Sequence, residues 1–530
     1  MQIASPNSKS GFRRYVTTAI PYVNATPHIG FALEMAQADT LARLYRLSGD
    51  DVRFLAGTDE NSIKNVQAAD RAGLPVAELV ERNAIRFQAL KESLDLSFDD
   101  FIRTSADTRH RPGAERLWVA CFETGDIYKR AYRGLYCTGC EQFYKPGELL
   151  DGTCPEHGTV PDEVEEENWF FRLSRYADRL REIYAHGDIE IVPSSRRNEA
   201  LAWIEAGLDD FSISRSVKRA RGWGIPVPGD PEQVIYVWFD ALANYVTALG
   251  YGTDEALLSY YWRDATSREH VIGKGITRFH AVYWPAMLLS AGLKLPTRIL
   301  VHGYVTVDGR KIGKSAGNAI DPIPLAAEFG ADPLRYYLLR HIRTTDDGDF
   351  SHERFRQAYH SELAAQLGNL AHRVLSMIER YCGAAVPTPP DGHVEGDRLL
   401  RGAAELSGTV AGHLRAHAFH CALDAVWMFI AEANRYVAEE EPWALAKASR
   451  SSRDRESAAQ CDAGLRAALY SLAVALQTIA ACIAPLLPGT SRRLFHKLGE
   501  TSQPPATGEA RDCCRRLHRS AGNPGPARST

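Results

Sequence analysis

The sequence predicts an α/β protein in three parts: a parallel-sheet half, a small cysteine-bearing module inserted within it, and an all-helical half behind it. Three observations predict this. Residues 15–20 form a β-branched run, His28-Ile-Gly30 supplies a turn, apolar residues then recur at helical spacing (Leu33, Met35, Ala36, Leu41, Leu44), and residues 52–56 form a second strand-like run. Strand, glycine turn, helix, strand is how a parallel α/β sheet opens. Residues 132–168 break that rhythm, being rich in Gly, Tyr, Cys and Pro. Beyond residue 322 no convincing strand remains, and Ala/Leu-rich helical periods fill 353–382, 401–438 and 460–482, the pattern of a bundle of four or five helices.

Taken in order, the first strand is bounded by Pro21 and the second closes at Gly57-Thr-Asp-Glu60. Residues 70–125 read as mostly helical. The module at 132–168 closes with the acidic run 163–167, and helical pattern returns at 170–186. The sheet is expected to resume with strands at 233–238, 269–272 and 298–301, each running into a polar or glycine-containing loop. In open parallel sheets such strand ends face the ligand crevice. A Pro/Gly-rich break at 383–393 and a polar gap at 448–458 divide the bundle, and residues 501–530, with little to bury, read as disordered.

A chain of 530 residues exceeds one ordinary core, so two to four domains are expected. Its 45% apolar and 24% charged residues are those of a soluble globular protein. The net charge of -4 carries no electrostatic signature of nucleic-acid binding, although one basic face of a large enzyme is easily hidden in the total. The polar N-terminus lacks a signal-peptide pattern. No uncharged apolar run reaches the roughly 18 residues of a membrane span, so no membrane association is expected. The most apolar stretch, 467–488, reads as a helix within the bundle. Ten cysteines are too sparse for a disulfide scaffold and fit a reducing, cytoplasmic setting.

Three constellations carry chemistry. Pro27-His28-Ile29-Gly30 lies between a strand and a helix, where glycine permits close approach and the helix N-terminus favours an anion. Taken alone it is more simply an ordinary turn. Lys311-Ile-Gly-Lys314-Ser315 is flanked by Gly309 and Gly317. Two lysines there can neutralise charge that builds as pyrophosphate leaves a triphosphate, although a lone Lys/Gly loop is more often solvated surface. Neither a Walker loop nor a dinucleotide fingerprint is present. Finally, Cys137-x-x-Cys140 and Cys154-x-x-His157, with 13 residues between the pairs, offer three thiols and one imidazole on two knuckles. That set matches one tetrahedral Zn²⁺ with no open position, hence a structural site. A redox reading is weaker, because His replaces Cys in the second pair.

The first two constellations, as His28-Ile-Gly-Phe31 and Lys311-Ile-Gly-Lys-Ser315, resemble the HIGH and KMSKS signatures of class I aminoacyl-tRNA synthetases. The fuller resemblance is to the methionyl-tRNA synthetase family. It runs through Thr17-Thr-Ala-Ile-Pro-Tyr-Val-Asn24, Gly57-Thr-Asp-Glu60, Ile213-Ser-Arg215, Trp223-Gly-Ile-Pro-Val-Pro228, Tyr236-Val-Trp-Phe-Asp240, Val301-His-Gly-Tyr-Val305, Gly330-Ala-Asp-Pro-Leu-Arg335, Asn434-Arg-Tyr436 and Pro442-Trp443, covering about residues 13 to 500. It implies a Rossmann-like catalytic domain at 13–114 and 231–350. A connective-peptide insertion at 115–230 would carry the zinc knuckles, followed by a helical anticodon-binding domain at 351–500.

The resemblance implies an activity: methionine and ATP form methionyl-adenylate and pyrophosphate, and methionine passes to the 3′ end of tRNA(Met), initiator tRNA included, releasing AMP. Ile20, Tyr22, Trp238, Leu242, Tyr245 and His280 would form the methionine pocket, with Asp59 holding the ammonium. Aromatic walls suit a soft thioether; read from spacing alone, the same aromatics would be plain core. His28, Gly30, Lys311, Lys314 and Ser315 would bind ATP, with Arg215 as a further phosphate contact and Mg²⁺ accompanying the nucleotide. The attacking carboxylate is already anionic, so catalysis is positioning and charge stabilisation. Asn369, Arg373 and Trp443 would read the anticodon by hydrogen bonding and stacking.

Departures from the family pattern are Phe31 for a second histidine, Asn61-Ser62 for His-Gly, Gly275 for an acidic residue and Leu242 for proline. They suit a divergent branch, and equally a paralogue that forms adenylates on a related amino acid without tRNA. Asn369, Arg373 and Trp443 argue against the paralogue, and the complete lysine loop argues against a non-enzymatic RNA-binding relative. No room exists for a large editing insertion. No further tRNA-binding or dimerisation module is visible after about residue 500, which favours a monomer.

Overall fold

The computed structural model describes residues 11–137, 139, 142–156, 158–312 and 318–499, with the backbone alone for Tyr132, Gln142, Lys311 and Glu395. The tail at 501–530 lies outside them.

The central element is a six-stranded, wholly parallel sheet. Its strands are β1 (Arg13–Thr18), β2 (Asp51–Thr58), β3 (Asp100–Arg103), β4 (Glu190–Val192), β5 (Ser267–Gly273) and β6 (Arg298–His302), in spatial order β3-β2-β1-β5-β6-β4. Both faces are covered, and neighbouring residues of one strand enter different cores. Val16, Phe54, Val271 and Leu300 face one core, whereas Tyr15, Leu55, Ile272 and Ile299 face the other. This period of two, apolar on both sides, is what a buried parallel strand requires. The chain winds outward from β1 to β2 on one side and from β5 to β6 on the other. The crevice therefore opens at the carboxyl ends of β1 and β5.

Four sequence expectations need correction. Residues 233–238 do not extend the parallel sheet. Asp230–Ile235 pairs antiparallel with Ser214–Ser216 in a separate small sheet, and the helix Val237–Thr247 starts immediately after it. The continuous apolar run Val-Ile-Tyr-Val-Trp fits a strand and a buried helix equally well. The mostly helical segment 70–125 contains the edge strand β3. The segment 115–230 is not wholly an insertion, because β4 returns to the main sheet. Finally, one short strand, Gly348–Phe350, lies beyond residue 322.

Within the inserted segment, Ile127–Cys137 and Asp162–Phe171 form a long antiparallel arm, with Gln142–Tyr144 as a third strand. The acidic run is part of this arm: Glu163 meets Arg133 at 2.8 Å and Glu167 meets Lys129 at 3.5 Å across it.

The helical half is built from Arg398–Arg415, Phe419–Glu440, Pro442–Ser451, Arg455–Ile483 and Pro488–Lys497, with 352–382 running as one helical rod that contains a π-helical stretch at Tyr359–Gly368. Arg455–Ile483 is long and apolar enough to cross a membrane by composition, but 78% of its most apolar window is buried inside the protein. The two halves share one core. At its centre Arg335 and Asp39, both fully buried, pair at 2.7 Å. Arg335 also donates to the carbonyls of Leu486, Leu94 and Pro485 at 2.8, 3.3 and 3.2 Å. Burial pushes the Asp39 carboxyl up, but Arg335, Arg43 and the Ser97 hydroxyl more than offset this and leave it below the usual range.

Candidate active site

The crevice is assembled from strand ends. After β1 the chain turns through residues 19–28 into the helix Ile29–Leu47, and His28 is its N-cap. The His28 Nδ1 accepts from the Gly30 N–H at 3.2 Å, so a neutral ring carries its proton on Nε2. The first helical turn holds no acidic residue. An exposed imidazole beside the N-terminus of a long helix is a ready anion site.

The second signature arrives at the same place. A Cβ on Gly30 would lie 3.9 Å from Val305, the first residue of the hairpin Val305–Val307/Arg310–Lys311, and the Ile29 N–H donates to the Ile320 carbonyl at 2.9 Å. The structure thus brings together His28, Gly30 and both flanks of the lysine segment. Lys314 and Ser315 lie outside the described residues, as does the side chain of Lys311.

Asp59 follows β2. Gly57 has no room for a side chain, since a Cβ would fall 2.4 Å from the Ile102 carbonyl oxygen. That close packing lets the chain turn so that the Asp59 N–H meets the Pro21 carbonyl at 2.8 Å. Asp59 is 2% exposed and pairs through its backbone with Tyr22. The helix Val237–Thr247 carries Trp238, Leu242 and Tyr245. Trp238 stacks flat on Phe279 at 3.7 Å and stands edge-on to Tyr22 at 6.4 Å. Leu242 and Tyr245 are buried. Ile20 is partly buried in the same core.

The Tyr245 hydroxyl lies 2.7 Å from His280 Nε2, while His280 Nδ1 lies 3.0 Å from the Ile276 carbonyl. A carbonyl can only accept, so Nδ1 bears the proton, and Nε2 of the neutral ring accepts from the tyrosine. Burial pushes the His280 pKa down to about 4, against the raising effect of Ile276. Burial likewise raises the Tyr245 hydroxyl. His270, which contacts the Tyr245 ring at 4.2 Å, is also depressed by burial and by His280. Tyr245, His270 and His280 therefore form a neutral cluster at physiological pH.

Sequence reasoning missed the groups that hold the Tyr245 helix. Asn61 Nδ2 donates to Asp240 Oδ2 at 2.7 Å, His110 Nε2 meets Asp240 Oδ1 at 2.5 Å, and His110 Nδ1 meets the Thr247 hydroxyl at 2.8 Å. This buried chain ties the Asp59 turn to both ends of that helix. The pairing of Asn61 with Asp240 explains an amide at a position where the family pattern has histidine. Three other departures also have local partners. Phe31 packs edge-to-face on Phe87 at 5.2 Å. Ser62 caps the helix Ile63–Ala72. A Cβ on Gly275 would fall 2.2 Å from the Tyr304 hydroxyl, so that hydroxyl fills the space a side chain would need.

Arg215 is caged by the Tyr136, Phe143 and Tyr236 rings. It is 7% exposed, donates to the Ser212 hydroxyl and the Ser214 carbonyl at 2.9 and 2.6 Å, and lies 4.2 Å over the Tyr236 ring. These contacts do not bring it to the His28 turn.

Of the predicted zinc ligands, Cys137 and Cys154 are each 1% exposed and share one small cluster with Tyr144. The Gly158 N–H closes a tight turn onto the Cys154 carbonyl at 2.8 Å. Cys140 and His157 lie outside the described residues. In the bundle, Asn369 is exposed and the Arg373 guanidinium lies 5.7 Å over the half-exposed Trp443 ring. The cavity beside them, about 410 Å³, is lined by Arg380, Tyr381, Trp443, Ala446, Lys447, Arg450 and Ser451, three cations and no carboxylate.

A doubly covered parallel sheet, with a histidine-capped helix and a lysine hairpin converging at its crevice, is the architecture of a class I tRNA synthetase. The family model described as "tRNA synthetases class I (M)" matches residues 14–162 and 145–375. The methionine–tRNA ligase of Mycobacterium bovis is 43% identical over 492 residues, 92% of each chain. That of Brucella suis is 43% identical over 488 residues, 91% of this chain and 90% of that one. The solved Mycobacterium tuberculosis methionyl-tRNA synthetase in complex with methionyl-adenylate superposes with a TM-score of 0.86 at 41% identity, covering 94% of this chain and 96% of that one. The chain belongs to the methionyl-tRNA synthetase family.

Proposed function

We infer that this protein is a methionine–tRNA ligase that activates L-methionine with ATP and esterifies it to tRNA(Met), initiator tRNA included. The observation that carries this reading is the meeting of the His28 turn with both flanks of the lysine segment; the aromatic cluster of Tyr22, Trp238, Tyr245 and His280, with the buried Asp59 paired to Tyr22, supports it. In this reading Asp59 holds the substrate ammonium, and Tyr22, Trp238, Ile20, Leu242, Tyr245 and His280 enclose the thioether. His28 and the Gly30 backbone take up the triphosphate with Lys311, Lys314 and Ser315, and Mg²⁺ accompanies ATP. Arg215 is proposed as a further phosphate contact. The methionine carboxylate attacks the α-phosphorus, forming the adenylate bond as the bond to pyrophosphate breaks; no proton need move. The terminal ribose hydroxyl of the tRNA then displaces AMP from the acyl carbon. Oriented reactants and preplaced cations are the kinds of assistance such a step needs.

Asn369, Arg373 and Trp443, beside a cation-lined cavity, are proposed to read the anticodon. Trp443→Ala is expected to lower kcat/KM for tRNA(Met) aminoacylation by about 10- to 100-fold, the loss of one stacked base, while methionine-dependent pyrophosphate exchange stays at the parent rate. If the parent enzyme made adenylate but charged no tRNA, the tRNA part of the reading would fail.

Cys137, Cys140, Cys154 and His157 are proposed to hold one structural Zn²⁺, which would supply cross-linking of the two knuckles and no chemistry. The two described cysteines fit, being buried together at the tip of a module with little apolar core of its own. Elemental analysis should find one zinc per chain, lost in Cys154→Ser; zinc-free, folded, active enzyme would sink the assignment. The enzyme is further proposed to work as a monomer and in the cytoplasm; the free thiols of Cys121, Cys382, Cys421, Cys461 and Cys482 suit the second.

A further inference from the structure

The hairpin that delivers Lys311, and leads on to Lys314, turns through Asp308-Gly309, both left-handed with φ of 50° and 74°. This is the two-residue connection in which both central residues need positive φ. Two strands alone are marginal in water, so the position of the hairpin depends on what holds it. Its third strand is Gly348–Phe350, parallel to Val305–Val307, with Asp349 opposite Thr306. From there a single atom, Asp349 Oδ1, accepts from two hairpin donors at once: the Thr306 hydroxyl at 2.7 Å and the Gly309 N–H at 2.7 Å. One carboxylate oxygen thereby fixes both the outgoing strand and the turn. The support is itself anchored. The Gly348 N–H donates to the Tyr304 carbonyl at 3.0 Å, the Tyr337 hydroxyl donates to the Asp349 carbonyl at 3.2 Å, and Arg354 lies 4.0 Å from Asp349 Oδ2.

We propose that Asp349 is a positioning residue for adenylate formation: by holding the Asp308-Gly309 turn against Gly348–Phe350, it sets the position of the hairpin backbone from which Lys311 acts on the ATP phosphates. It touches no substrate, and it acts in the first step only. The proposal rests on the reading that the lysine segment serves that step.

The test uses the full chain and three variants, Asp349→Ala, Asp349→Asn and Thr306→Val, with Lys314→Gln as reference. Two rates are measured: methionine-dependent pyrophosphate exchange, and transfer of methionine from isolated methionyl-adenylate to tRNA. Asp349→Ala should lower kcat for exchange by about 10- to 100-fold, the scale of a small misplacement of catalytic groups, with KM for methionine little changed. Asp349→Asn keeps an oxygen that can accept both bonds and should recover most of the rate. Thr306→Val, which removes one donor, should fall between. Transfer from preformed adenylate should not slow. Exchange by Asp349→Ala at the parent rate would overturn the proposal, as would equal slowing of both steps, which marks general damage. If Lys314→Gln itself exchanges normally, the reading of the lysine segment fails; if Lys314→Gln is inactive while Asp349→Ala is not, only the proposal fails.

Discussion

Lys314→Gln should lower methionine-dependent pyrophosphate exchange by about 10²- to 10³-fold, the usual loss when one preplaced charge-stabilising group is removed. The reason lies in the reaction. Neither reactant needs deprotonation, so the protein contributes alignment and positive charge where pyrophosphate departs. In the proposed reading, His28 and the helix N-terminus supply one side of that field, and the hairpin, joined to it through Val305 beside Gly30 and the Ile29–Ile320 bond, supplies the other. Because the proposed pocket for the amino acid draws on different elements, KM for methionine should stay near the parent value. A fall in kcat/KM carried by methionine binding alone would show that the lysine segment does other work.

Arg335→Ala should be the most destabilising single change in the protein, costing about 3–5 kcal/mol as expected when one partner of a buried ion pair is removed. The mutation leaves the buried Asp39 carboxylate with Arg43 and the Ser97 donors and strips three carbonyls of a donor. Removing both charges is milder in principle, so Asp39→Asn/Arg335→Met should recover part of the loss. The sign of the pH dependence follows from the lowered pKa of Asp39. A carboxylate held below its ordinary value of 3.8 stabilises the fold at neutral pH, and that contribution is lost as pH falls below 3.8 towards the folded-state value. The gap between parent and Arg335→Ala should therefore narrow in acid. Urea midpoints at pH 7 and pH 3.5 measure it; a variant with parent midpoint at pH 7 would refute the clamp.

What was legible in the sequence was local. The opening strand–turn–helix–strand, the long bundle helices and the two signature segments each declare themselves within a few residues, and the sheet brings those signatures together. The strands β3 and β4 were not legible, because four and three residues at a sheet edge carry too little periodicity to register. Trp238 was read into a strand because nothing in an uninterrupted apolar run marks where Tyr236 leaves extended backbone and Val237 begins a helix. The groups that position the site were the least legible of all. Asp240, His110 and Asn61 come from three separate elements, Arg335 meets an aspartate near the other end of the chain, and Asp349 reaches the hairpin only through a three-residue strand. In each case the chemistry is made by tertiary proximity, and one sequence carries no trace of it. The departures at Phe31 and Gly275 read as gaps in a pattern until Phe87 and the Tyr304 hydroxyl are seen occupying the space.

The most direct test of the central claim is exchange of labelled pyrophosphate into ATP with each of the twenty amino acids and homocysteine in turn. The proposed pocket, with Trp238 and the neutral Tyr245–His280 pair as its walls, predicts exchange dominated by methionine. Exchange dominated by another amino acid, or none from folded protein, would contradict it.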